Sequence, residues 1–265
     1  MPDAPEFTAV VPNRSDAVRV VPLATIRDTG VFHDKDLAAA TPPPQLTYRG
    51  GPVLGTVEVV TMFWGKAWSL PANQGLPAKL NAFFDAILTS ALIDQLAEYD
   101  TPTTAIGHGQ RTATATVTSP NVRLNVTDAA IQHFLQNQIS IAAVPAPSAN
   151  TLYFIYLPPG VSVTQGGGRS CQVFCGYHSD INATVFYAVM PYPTCQGCTG
   201  SLAALDALTS TSSHELCEAI TDPIPGRGWY DDTHGEIGDI CAWRTKTVAG
   251  YTVQLEWSNR ANSCV

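Results

Sequence analysis

Three side chains within five residues, His214, Glu215 and Glu218, have the types and the spacing of a metal site. Residues four apart on a helix project from the same face, one turn apart, so His214 and Glu218 can bind a single ion. An imidazole and a carboxylate are both ligands of Zn²⁺. Glu215 lies about 100° further around the helix, where its carboxylate can act as a general base on a metal-activated water.

The spacing is that of the zinc-peptidase motif HExxH, with Glu in place of the second His. Catalytic zinc needs three protein ligands and one open position. The acidic loop that follows the helix offers Asp239, which we prefer as the third ligand, with Glu236 as the alternative. Tyr230 is predicted to line the cleft and to polarise a tetrahedral intermediate. These residues together predict a zinc-dependent endopeptidase acting on a polypeptide substrate.

Periodic patterns indicate which elements carry these residues. Helical spacing predicts helices over 76–99, from Thr127 to about 140, and over 200–220, the last of which contains His214 and ends before Pro223. Predicted strands cover Val57–Trp64, Thr112–Thr118, Thr151–Leu157, Thr184–Met190 and Val248–Trp257.

This alternation predicts an α+β fold, a zincin-like mixed β-sheet packed with helices, in which the active-site helix precedes a loop-rich, disulfide-bonded C-terminal region. Strand 184–190 is predicted to be the edge strand that pairs with an extended substrate. Residues 1–47 are rich in proline and predict an extended arm or prosegment. Residues 48–265 are predicted to form one catalytic domain.

The composition excludes several classes of protein. With 14 Lys and Arg against 22 Asp and Glu, the net charge of −8 argues against a nucleic-acid partner. No apolar window approaches the length of a membrane span, and we expect a monomer. All seven cysteines follow residue 170, which favours disulfides and a secreted protein. Since seven is odd, one cysteine must lack a partner within the chain, and Cys217, inside the helical pattern, is our choice.

Short motifs in a fixed order resemble the phosphate-induced protein 1 family, the exordium-like proteins. These motifs are Tyr48-Arg-Gly-Gly-Pro-Val-Leu54, Met62-Phe-Trp-Gly-Lys66, Phe174-Cys-Gly-Tyr-His-Ser179, the pair Cys195 and Cys198, and Gly228-Trp-Tyr230. The resemblance implies an extracellular location and no established enzymatic mechanism. It differs at the helix motif, where His214 and Glu218 are additional metal-capable groups. His178 belongs to the resemblance, and a structural hydrogen bond is its favoured role.

Two alternatives remain beside the peptidase. In the first, the chain is a non-catalytic extracellular protein that binds cell-wall carbohydrate and has a structural metal. In the second, its acidic C-terminal loops bind Ca²⁺ for stability alone. Asp231, Asp232 and His234 are candidate residues for the calcium site, or are simply solvated.

Overall fold

The computed structural model describes residues 20–22 and 42–265 of the chain. The strands are β1 Val20–Pro22, β2 Thr47–Tyr48, β3 Thr56–Trp64, β4 Gly107–Val117, β5 Asn125–Thr127, β6 Thr151–Leu157, β7 Ser162–Gln165, β8 Gly168–Arg169, β9 Phe174–Ile181, β10 Val185–Pro191, β11 Trp229–Tyr230, β12 Thr245–Val248, β13 Tyr251–Gln254, β14 Trp257–Ser258 and β15 Ser263–Cys264. The helices are α1 Leu76–Ile87, α2 Ala91–Asp94, α3 Asp128–Ser140, α4 Gln196–Thr199 and α5 Ala204–Thr221, and 3-10 turns cover Lys66–Ser69, Gln95–Tyr99 and Asp239–Cys241.

A mixed six-stranded sheet, in the order β1-β9-β10-β6-β3-β4, forms the centre of the molecule. The strands β10, β6, β3 and β4 run parallel to one another, whereas β9 runs antiparallel to both β10 and β1. The predicted α+β fold with a mixed sheet and helices is therefore confirmed.

Both faces of the sheet are covered by helices. All seven side chains of β6 are buried, and they alternate between two cores. Phe154 and Tyr156 pack in the core that includes residues of α1 and α5, while Tyr153 and Ile155 pack in the core that includes residues of α3. The uninterrupted apolar run of β6 is typical of a parallel strand buried on both faces.

The prediction that strand 184–190 lies at the edge of the sheet is wrong. Strand 184–190 corresponds to β10, which is hydrogen-bonded to β6 on one side and to β9 on the other, so it has no free edge for a substrate. The strand beyond it is β9, and the outer edge of β9 pairs with β1 from the N-terminal arm. A buried central strand and a half-buried edge strand both have β-branched and aromatic residues, so composition did not distinguish them.

The other predicted elements are found with changed bounds. The helix predicted over 76–99 is divided into α1, α2 and the 3-10 turn Gln95–Tyr99, because Ser90 caps a new helix through its side chain. The strand predicted over Val248–Trp257 is a hairpin of β12 and β13 followed by the short β14.

The predicted N-terminal arm lies outside the described residues except for β1 and residues 42–47. Leu46 is buried in the core, and its backbone is hydrogen-bonded to Asn259. β2 pairs with β11, which joins the end of the arm to the segment after α5. In the described part of the chain, no single helix is long and apolar enough to cross a membrane, although the bent pair formed by α1 and residues 91–99 passes on length and composition.

Three disulfides join cysteines of the C-terminal region: Cys171–Cys195, Cys175–Cys198 and Cys241–Cys264. Cys217 is free and fully buried in α5, as predicted. The third disulfide joins the 3-10 turn Asp239–Cys241 to β15, so it fixes the acidic loop to the C-terminal strand.

We expect this pairing to give a definite thiol count with Ellman's reagent. The native protein should show no reactive thiol, because Cys217 is inaccessible and the other cysteines are paired. The unfolded, unreduced protein should show one. A Cys217→Ser variant should show none in either state, and a thiol that persists in that variant would contradict the pairing.

Candidate metal centre

Helix α5 carries the predicted motif in the protein interior. Small residues from Thr209 to Ser213 allow close neighbours around the helix, which contacts β9, β10 and β13. His214, Glu215 and Glu218 are all 0% exposed. Charged side chains are almost never fully buried unless they are paired or bind a metal, so this part of the helix needs a compensating group.

The imidazole of His214 and the carboxylate of Glu218 are close but do not form a hydrogen bond. His214 Nε2 lies 2.9 Å from Glu218 Oε1, yet neither ring nitrogen of His214 has a hydrogen-bond partner. Two ligands of one tetrahedral zinc ion at about 2.1 Å are themselves separated by about 3.4 Å. The two groups are closer than this, so a shift of about half an ångström would let them bind one cation.

Asp239 is brought to the same place by the loop after β11. Ligand atoms of His214, Glu218 and Asp239 all lie within 4.8 Å of one another. The backbone N–H of Asp239 also donates to Glu218 Oε1 at 3.1 Å. The three predicted ligands thus converge, and the preferred third ligand, Asp239, is the acidic residue that joins His214.

The loop is held against α5 by hydrogen bonds as well as by the third disulfide. Gln254 on β13 donates from its side chain to the carbonyl of Gly238 at 2.9 Å and from its backbone to Ser213 on α5 at 2.8 Å. The backbone N–H of Trp257 donates to the carbonyl of Ile237 at 3.1 Å. These bonds set the distance between the loop and the helix independently of any ion.

His178 enters the cluster from β9. Its Nδ1 lies 3.0 Å from Glu215 Oε2 and 3.5 Å from Glu218 Oε2, and its Nε2 lies 3.2 Å from the carbonyl oxygen of Asp222. The structural hydrogen bond predicted for His178 is present. The same side chain also belongs to a second group of metal-capable residues, with Glu215 and Glu218, which the sequence analysis missed. Its position on β9, directed to α5, is fixed by tertiary structure alone.

Glu236 and Glu256 add two more buried carboxylates. Glu236 Oε1 lies 3.5 Å from His178 Nε2, so the alternative ligand is beside His178. Both oxygens of Glu236 and both oxygens of Glu256 lack hydrogen-bond partners, although the residues are 0% exposed. Glu256 was not predicted, since a single Glu at the end of a strand pattern has no chemical signature.

Burial and mutual charge shift the ionisation of the cluster. Burial raises the pKa of Glu215, and it raises the pKa of Glu236 and of Glu256 well above the usual value. Burial would also raise the pKa of Glu218, but the positive charges of His214 and His178 lower it to about 2.

Burial alone would lower the pKa of each histidine. At His178 the carboxylates of Glu236, Glu215 and Glu218 together outweigh burial, so its pKa is well above normal. At His214 the carboxylates of Glu218, Glu215 and Glu256 do the same. The buried carboxylates of the cluster therefore outnumber its histidines, and their negative charge stabilises a bound cation or proton.

The remaining predicted residues lie elsewhere. Tyr230 is on β11, where its ring is 5.1 Å from the guanidinium carbon of Arg49 and its carbonyl accepts a hydrogen bond from Thr47. A catalytic role for its hydroxyl stays a prediction. Asp231 accepts hydrogen bonds from the backbone of residues 45, 233 and 234, and it contacts His234 Nδ1 at 3.0 Å. Asp231 therefore stabilises a surface turn.

The donor set fits a divalent cation. Mixed imidazole and carboxylate ligands suit Zn²⁺, whereas Ca²⁺ takes six to eight oxygen ligands. Cys171, Cys195 and Cys198 also lie close together, but each is in a disulfide and so cannot supply a thiolate. Of the described residues, only the groups that contain Glu218 combine histidine with carboxylate ligands.

Comparison of the sequence with protein-family models and with curated proteins gave no match. The resemblance to the exordium-like proteins therefore remains a prediction, as does the zincin-like character of the fold. The properties of the site rest on its own geometry.

Gly238 controls the separation between the loop and the helix. A Cβ atom at this position would lie 2.8 Å from His214 Nδ1 and 2.9 Å from Glu218 Oε1. We expect Gly238→Ala to displace the loop and to weaken zinc binding about 10- to 100-fold, as for other changes that disturb ligand orientation. Competition with a chromophoric chelator measures this affinity.

Gly107→Ala is the matched control, because a Cβ at Gly107 meets no atom within 4 Å. Its zinc affinity should equal that of the wild type. Equal affinities in the Gly238 and Gly107 variants would show that zinc does not bind between the loop and α5.

Proposed function

We propose that this chain is a zinc-dependent peptidase whose centre is formed by His214, Glu218 and Asp239. The observation that supports the proposal is their convergence across 25 positions of sequence (239 − 214), with ligand atoms within 4.8 Å, next to an additional buried carboxylate. Zinc in such a centre activates water and polarises a carbonyl group. The disulfides are typical of extracellular proteins, and we propose that the protein is secreted and acts as a monomer.

Glu215 is the residue we assign to proton transfer. Its Oε2 is oriented by His178 at 3.0 Å, while its Oε1 is buried and has no hydrogen-bond partner. Burial raises the pKa of this carboxyl, which brings a general base closer to working pH. His178 is a positioning residue here, because its ring is in turn anchored by the carbonyl of Asp222.

Access to the centre needs a rearrangement. His178, His214, Glu215 and Glu218 are 0% exposed, so a polypeptide does not reach them in this arrangement. The sheet edge nearest the centre is that of β9, and β1 occupies it, with Val21 opposite Gly176. Gly176 is adjacent to the centre, since a Cβ there would lie 3.3 Å from Glu215 Oε1. We infer that the arm occupies the position where an extended substrate would pair, as a prosegment does.

Glu215→Gln should separate catalysis from metal binding. We expect this variant to lose peptide hydrolysis by a factor of about 100 or more, because proton transfer contributes roughly 10²- to 10⁴-fold. It should retain zinc in the His214 centre, whereas His214→Ala should lose both that zinc and the activity. Cleavage of a fluorogenic peptide library and elemental analysis are the two measurements.

His108→Ala is the control, because His108 pairs with Asp94 on the surface and contacts none of the cluster. It should match the wild type in both assays. Full activity in Glu215→Gln would rule out the assigned base.

A second function is favoured by the complete burial of His214 and Glu218, next to the half-buried Asp239. A closed zinc site ties elements together without catalysis, and here it would join α5 to the C-terminal loop. The protein would then be a non-catalytic extracellular binding protein, as the exordium-like resemblance implies, with carbohydrate as its ligand.

Release of the β9 edge distinguishes the two functions. Proline cannot donate hydrogen bonds to a β-ladder, so the full chain with Val20→Pro and Val21→Pro should free this edge. The peptidase proposal predicts at least tenfold higher peptide hydrolysis in this variant, and no increase when Glu215→Gln is added. Faster hydrogen exchange in β9 would show that its edge is released. If this variant also has full zinc content but does not hydrolyse peptides, the non-catalytic protein with a structural zinc site is favoured.

A further inference from the structure

We propose that the cluster binds two divalent cations bridged by the carboxylate of Glu218. This inference rests on the metal centre of the proposed function and adds a second ion, ligated by His178 and Glu215. Two ions that share a carboxylate are about 3.5 to 4 Å apart in hydrolases that stabilise both the attacking and the leaving atom.

The two oxygens of Glu218 face different partners. Oε1 lies 2.9 Å from His214 Nε2 and accepts the N–H of Asp239 at 3.1 Å. Oε2 lies 3.5 Å from His178 Nδ1 and has no hydrogen-bond partner, although the residue is 0% exposed. One oxygen therefore belongs to the His214 group, and the other is directed into the His178 group. A bridging carboxylate has this arrangement.

The second group is arranged as a ligand set. Nδ1 of His178, Oε2 of Glu215 and Oε2 of Glu218 converge on the same space, with 3.0 Å between the first two atoms. Nε2 of His178 donates to the carbonyl oxygen of Asp222 at 3.2 Å, so an ion that replaced the proton on Nδ1 would meet the lone pair of that nitrogen. Metal-binding histidines are commonly oriented by such a hydrogen bond from the other ring nitrogen.

Unpartnered atoms provide an independent observation. Oε1 of Glu215 and both oxygens of Glu236 are buried and accept no hydrogen bond. With neutral histidines as ligands, ionised Glu215, Glu218, Glu236, Glu256 and Asp239 would carry five negative charges. A single divalent ion offsets two of these charges, and two ions offset four. Buried charges without partners are costly.

The dinuclear arrangement changes the role of Glu215. Its Oε2 would bind the second ion, and its Oε1, which is buried and has no hydrogen-bond partner, would remain for proton transfer. The substrate class that suits such a pair is an amide or ester whose carbonyl oxygen contacts one ion while water is held near the other.

Zinc stoichiometry tests the proposal. The metal-free full-length protein, titrated with Zn²⁺ by calorimetry and checked by elemental analysis, should bind two ions per chain. His178→Ala and Glu215→Gln should each bind one, Asp239→Ala should bind one, and Glu218→Gln should bind fewer than one. His234→Ala is the matched control, because His234 lies in the same loop as Asp239 but pairs with Asp231, and it should bind two.

A magnetic measurement shows whether the ions share a ligand. With Mn²⁺ as the probe, the fully loaded wild type should show the exchange-coupled spectrum of a bridged pair. His178→Ala and Glu215→Gln should show an isolated ion. Near-ultraviolet circular dichroism confirms that each variant is folded, and either of these two variants suffices if the other does not fold.

The outcomes separate this inference from the proposed function. One zinc per chain in the wild type, unchanged in His178→Ala, would overturn the second site even if the protein hydrolyses peptides. Two zinc ions with loss of one in His178→Ala would support the bridged pair even if no peptide is cleaved.

Discussion

The burial of Glu218 between two imidazoles is the constraint on which the rest of the molecule depends. A carboxylate that is 0% exposed is stable in ionised form only beside positive charge, and the nearest groups are His214 on the same helix and His178 on β9. The pKa of Glu218, lowered to about 2, expresses this dependence. Helix α5, strand β9 and the acidic loop must therefore keep their relative positions for the buried charges to be compensated.

Several other features of the fold hold these three elements in place. On one side, Gly176 lets β9 approach α5 closely enough for His178 to reach Glu215. On the other side, Gly238 and Gln254 bring the acidic loop onto the helix, and the disulfide Cys241–Cys264 keeps it there. The three-residue 3-10 turn that contains Asp239 has little stability of its own, so tertiary bonds and the disulfide determine its position.

The sequence predicted local features well and long-range ones poorly. The spacing of His214 and Glu218 gave one helical face, and the acidic loop gave Asp239, because i and i+4 geometry and metal chemistry are local rules. His178 and Glu256 could not be assigned to the cluster, since their proximity to α5 is produced by strand order and by the C-terminal loops. The same reason explains the error at β10, where local composition does not reveal which strand lies at the edge of a sheet.

Burial and metal chemistry place opposite demands on this centre. Burial strengthens every electrostatic interaction in the cluster, because the local dielectric is low, but it also excludes a polypeptide. The pairing of β1 with β9 offers a physical resolution. An added strand at the edge of the sheet completes its hydrogen bonds and lies opposite Gly176, which approaches Glu215. Withdrawal of β1 would uncover this edge and remove its contacts with α5, and another extended chain could then pair there. The charged cluster and the strand at its edge can then be separate parts, one fixed by electrostatics and the other exchangeable.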